Sequence, residues 1–119
     1  MMNRINEVFE KLTEAALRLP EAEEGSSCNK LAFKARKKAF LYLGEKEETW
    51  NIMLKLSDSI DDVEGVAELA EDLSVSEQGW LSATFAQEQA VPPKVLEWVE
   101  ESYRALVSKT LVKLLDGEK

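Results

Sequence analysis

The sequence predicts an α+β domain: a single antiparallel sheet with helices packed on one face, in the order α-β-β-β-α-β(β)-α. Three observations lead there. Apolar residues recur every three or four positions near both ends of the chain, they alternate every second position across 30–56 and 80–86, and polar turns separate the alternating runs. Striped helices and half-polar strands are satisfied together when the helices layer on one side of a sheet. The 119 residues, 45% hydrophobic and 32% charged, fit one domain over 1–119. A chain of that length buries roughly two-thirds of the surface its unfolded form exposes.

Each element has its own signal. Ile5, Val8, Phe9, Leu12 and Ala16 predict a helix over 3–18, which Pro20 ends because proline lacks the ladder donor and disfavours helix in the residue before it. EAEEGSSCN reads as a loop. From Lys30 the period becomes two: Leu31, Phe33 and Ala35 face one way, Lys34 and Arg36 the other, and AFLYLG follows after a turn near 35–38. After GEKEET, Trp50, Ile52, Leu54 and Leu56 alternate as a third strand, with Trp50 in core register. Asp58, Ser59, Asp61 and Asp62 supply helix-start chemistry. A second helix is then striped by Ile60, Val63, Val66 or Ala67, Ala70 and Leu73, and weakened by Gly65. VSEQGWLSATFA returns to strand, with Leu81, Ala83 and Phe85 on one face and Trp80, Ser82 and Thr84 on the other; Gly79 marks a turn or bulge. Pro92 and Pro93 suit the start of a last helix whose stripe runs from Val95 through Leu96, Val99, Tyr103 and Leu106 to Leu115, with Trp98 at its edge.

Much chemistry is excluded by composition. There is no histidine, and the one cysteine, Cys28, has no partner for a disulfide or a nucleophile pair. Zinc sites of the Cys/His kind, Walker-type GxxxxGK[ST], GxGxxG and GxSxG are all missing, and the acidic groups 21–24, 45–48 and 58–62 do not follow the calcium-loop pattern. The expectation is a non-enzyme with no cofactor and no metal. The apolar runs fall far short of the ~18 residues of a membrane span, and the start MMNRINEVFEKL lacks a continuously apolar core, so no membrane role is expected and the cytoplasm is the default compartment.

One stretch stands against the net charge of -8, with 23 acidic and 15 basic residues. KLAFKARKKAF carries Lys30, Lys34, Arg36, Lys37 and Lys38 with no acid among them, and Lys55 follows on the third strand. These six are the candidate nucleic-acid or anion contacts, and Trp80, on the more polar strand face, is the candidate interaction aromatic. The first reading is an interaction module for another macromolecule, such as a protein partner. The alternative is weak nucleic-acid binding, with three or four phosphate contacts and a slope of log affinity against log salt of about -3. Solubility and protection of a strand edge also account for such charges. The sequence sets no oligomeric state.

The order of LRLPEAEEG, LAFKARKKAFLYLG, IMLKL, GWLSATFA and PPKVLEWVEESYRALVSKTL resembles the MmcQ/YjbR family of small bacterial proteins along nearly the whole chain. The matching pieces are Phe33, Lys34, Lys38 and Phe40 in the hairpin, Leu54 and Lys55, Gly79 and Trp80, and Ser102 and Tyr103. The resemblance implies a CyaY-like α+β domain, in a family described as carrying a double-wing DNA-binding motif while its biochemical function is largely unassigned. AEDLSVSEQGW is shorter and more acidic than the corresponding family loop. The frataxin-type comparison implies iron on acidic edges, with Glu7, Glu10 and Glu14 the first candidates.

Overall fold

The computed structural model describes residues 5–27, 30–57, 62–107 and 109–117. In chain order these form α1 (Ile5–Leu17), β1 (Ala22–Ser27), β2 (Lys30–Ala35), β3 (Lys38–Lys46), β4 (Thr49–Lys55), α2 (Glu64–Ala67), β5 (Asp72–Val75), β6 (Trp80–Ala86), α3 (Pro93–Leu106) and α4 (Lys109–Leu115). Among the described residues the strands make one antiparallel sheet of six, in the order β1-β2-β3-β4-β6-β5. The α+β class and the single antiparallel sheet are as the sequence predicts.

The core lies between the sheet and the α1/α3 pair. Phe33, Leu41, Leu43, Trp50, Ile52, Leu54, Leu81 and Phe85 are buried on one sheet face, and Val8, Leu12, Val95 and Val99 meet them from the two helices, which also pack on each other. A bulge adjusts this face. Phe33 pairs with Leu41 but Lys34 with Ala39, so Phe40 is the extra residue, and both Phe40 and Leu41 are buried.

Three elements differ from expectation. The acidic stretch after Pro20 is an edge strand, β1, paired from Ala22↔Ala35 to Ser27↔Lys30. Its residues are poor strand formers, but an edge strand needs only one neighbour, and Glu23, Glu24 and Gly25 remain exposed. The second helix is a single turn with only Val66 buried, and Leu73, the far end of its expected stripe, belongs to β5 opposite Ala83. As a strand the segment packs Leu73 and Val75 against the core beside Ala83 and Leu81, which a glycine-weakened helix competes with poorly. The expected helix start at Asp58, Ser59 and Asp61, with Ile60, lies outside the described residues. The last helix is two helices, because Val107 is extended (φ -90°, ψ 167°). Arg104 then reaches Asp116 at 2.6 Å, whereas in one straight helix residues twelve apart would be roughly 18 Å apart.

Trp98 is the remaining correction: it is 1% exposed, not at the edge of the stripe. The buried positions of α3 are Val95, Trp98, Val99, Ser102 and Tyr103, so the stripe is centred through Ser102 rather than Leu96 and Leu106. Among the described residues the Trp98 Nε1–H is buried without a hydrogen-bond partner, whereas the Trp50 Nε1–H donates to the Gln89 carbonyl at 3.0 Å. An orphaned buried donor has already lost its hydration. Trp98→Phe should therefore cost only the packing of the lost ring, and Trp50→Phe, which also gives up a hydrogen bond, should cost about 1–2 kcal/mol more, as read from urea midpoints.

Candidate functional site

Helices occupy one sheet face, and the other presents its alternate residues outward. Strand register gathers several of them. Tyr42 lies opposite Met53, and Met53 opposite Ser82; Lys55 lies directly opposite Trp80. The Tyr42 and Trp80 rings stand 6.4 Å apart at 53°, both half-buried. Lys34 joins the same face from β2, opposite Glu23 of β1. The expectation that Trp80 leaves the core while Trp50 enters it agrees with this placement; Trp50 stacks on Phe85 at 4.3 Å instead.

The β2–β3 connection is a two-residue turn at the edge of this face. Arg36 (φ 48°) and Lys37 (φ 73°) both adopt left-handed backbone, the arrangement that usually selects Asn-Gly. A side chain there costs about 1–2 kcal/mol per residue, so the turn carries its two cations at the expense of strain.

Not all the cations are free. The Arg36 Nε–H and Nη2–H donate to Glu21 at 3.0 and 2.6 Å, a two-pronged pair in which Glu21 is itself left-handed (φ 57°). These hydrogen bonds hold the Glu21 carboxyl below its ordinary range and raise Arg36. Nearby, the Tyr103 hydroxyl donates to the Pro20 carbonyl at 2.7 Å, and burial, then the Glu21 charge, pushes that phenol up. The ammonium groups of Lys34, Lys37, Lys38 and Lys55 make no ion pair among the described residues.

Of the six basic candidates, the structure brings five to one end of the sheet. Lys30, of which only the backbone is described, starts β2 at the opposite end of the hairpin. The acidic turn between β3 and β4 is remote from this end. Glu47 and Glu48 lie beyond the far end of β3, a nine-residue strand, roughly 25 Å from the basic turn at ~3.3 Å per residue. That exceeds two Debye lengths at physiological salt. With Glu71 and Glu88 they line an open acidic concavity. Those four acids lie away from the basic end, which is bordered instead by β1 and the turn before it, by Glu77 in the turn before β6, and by Glu101 of α3, whose carboxylate accepts from the Ser57 N–H at 2.8 Å.

Ser102, which the sequence singles out only through the family resemblance, is a positioning residue. Its hydroxyl donates to the Phe40 carbonyl at 2.6 Å and accepts from the Lys55 N–H at 2.9 Å. Neighbouring Tyr103 meets the Phe40 ring edge-on at 5.2 Å. Helix α3 thus pins the β3 bulge and the end of β4 from beneath, which fixes the backbone that carries Lys55. The available signal was a small hydroxyl seven residues after Val95, in the middle of an apolar stripe.

Nothing comparable assembles elsewhere for catalysis. A groove between α1, α3 and α4 is floored by Ala15, Leu19, Leu96, Val99 and Leu115, and at its rim Glu14 pairs with Arg18 at 2.5 Å. Glu7 lies 3.6 Å from Lys11. Among the described residues no group of three or more Cys, Asp or Glu is arranged to hold a metal ion, and no helix is long and apolar enough to cross a membrane. Compared with protein-family models and with curated proteins, the chain matches none.

Proposed function

We propose that the chain is a non-enzymatic interaction module that takes an anionic macromolecule on the basic end of its open sheet face. The observation that carries this reading is the juxtaposition of the half-buried Tyr42–Trp80 pair with Lys34 and Lys55, which make no ion pair among the described residues, beside a turn that keeps Lys37 despite its left-handed backbone. Half-exposed rings supply apolar contact area, and unpaired ammonium groups supply charge without an internal ion pair to break. The resemblance to the MmcQ/YjbR family and the lone cysteine support a bacterial cytoplasmic setting.

A second, narrower reading is favoured by the rings: the anion is a single-stranded nucleic acid whose bases stack on Trp80 and Tyr42 while Lys34, Lys37, Lys38 and Lys55 meet phosphates. Four such contacts on a single strand give a slope of log affinity against log salt of about -3. Fluorescence anisotropy with a short labelled single-stranded DNA, and with heparin as a polyanion without bases, separates the readings. Both probes should bind at low salt, and Trp80→Ala should weaken DNA about tenfold or more while leaving heparin within about threefold if stacking is used. Equal effects on both probes would reduce the site to charge alone. No binding of either at low salt would remove the anion-binding function altogether.

A further inference from the structure

The structure points to an intramolecular competitor at this site. We infer that Glu21, in the turn preceding the acidic edge strand β1, occupies Arg36 as an anionic ligand would, so that the basic end of the open face is held in a low-affinity form. This rests on the anion-binding reading above. The contact has the geometry by which an arginine receives a phosphate or carboxylate: two parallel N–H donors on two carboxylate oxygens, at 3.0 and 2.6 Å. It joins two turns distant in sequence, one ahead of β1 and one between β2 and β3, and both partners hold left-handed backbone to make it. Both side chains are about half exposed, so an incoming anion reaches the guanidinium without opening the core. Glu23, directly across from Lys34, extends the acidic border along the same edge. An anion that displaces Glu21 gains one further basic contact, and the displaced carboxylate returns to water at little cost because it was never buried.

The consequence is a gain of binding on removing an acid, with a definite stoichiometry. Glu21→Gln should raise affinity for the single-stranded DNA and for heparin by about threefold to tenfold at low salt. It should also steepen the DNA slope by about 0.7, the value of one additional phosphate on a single strand. The double variant Glu21→Gln/Arg36→Gln should lose that gain and the extra slope, because the gain is assigned to the released guanidinium. Thermal melting of each variant, recorded alongside, identifies any fold lost with the latch. If the wild-type chain binds and folded Glu21→Gln binds no more tightly, or its gain persists in the double variant, the competitor is refuted while the anion-binding face stands. If no variant binds either polyanion, both fall together.

Discussion

Ser102→Ala should lower stability by about 2–4 kcal/mol, the largest loss expected from deleting a single oxygen in this protein. The hydroxyl is fully buried and serves two backbone groups at once, donating to the Phe40 carbonyl and accepting from the Lys55 N–H. Alanine leaves the buried Phe40 carbonyl and the part-buried Lys55 N–H without this partner, and each orphaned group costs about 1–3 kcal/mol. Phe40 is also the extra residue of the β3 bulge, so its carbonyl has no regular ladder position from which to recover a bond. Ser82→Ala is the matched control, because Ser82 is exposed on the open face and should change stability by no more than about 0.5 kcal/mol. Urea denaturation of the three proteins measures the difference, and a Ser102→Ala midpoint equal to that of Ser82→Ala would show that α3 does not pin the sheet through this hydroxyl.

Strands β2, β4 and β6 were legible because each follows the period of two. Phe33, Trp50, Ile52, Leu54, Leu81 and Phe85 are buried at every second position with mostly polar residues between them, and alternation states which face is buried. What the period does not state is what lies beside each strand. Edge strand β1 carries no apolar alternation, so Glu21 and Glu23 read as loop acids although they lie against the basic hairpin. The two-residue turn was equally hidden, because Arg-Lys has none of the Asn-Gly chemistry that marks left-handed positions. On α3 the obstacle was polarity: Ser102 belongs to the buried stripe by spacing, but a hydroxyl is counted as surface until its two backbone partners are known. Which acids border the basic end depends on register and on the turns that meet there, which no local pattern contains.

Lys34→Glu/Lys55→Glu addresses the proposed site where its geometry is most particular. The two lysines sit on strands either side of β3, with Lys55 directly opposite Trp80, and among the described residues neither ammonium makes an ion pair. Reversal removes two of four available phosphate contacts and sets two carboxylates against the remainder, while the Lys55 backbone keeps its bond to Ser102. Affinity for single-stranded DNA at low salt should fall at least about thirtyfold, and the slope of log affinity against log salt should drop from about -3 to about -1.4. Total charge must be held constant for that result to have meaning. Lys109→Glu/Lys113→Glu, two exposed changes on α4, also alters the net charge of -8 by two steps of -2 each, and so matches the long-range repulsion. The decisive measurement is the salt dependence of DNA affinity for these two double variants side by side. Loss of affinity and slope in the Lys34/Lys55 variant, with the α4 variant within about threefold of wild type, is the predicted result. Equal losses in the two, or a Lys34/Lys55 variant that binds as wild type does, would contradict an interaction site on the open face.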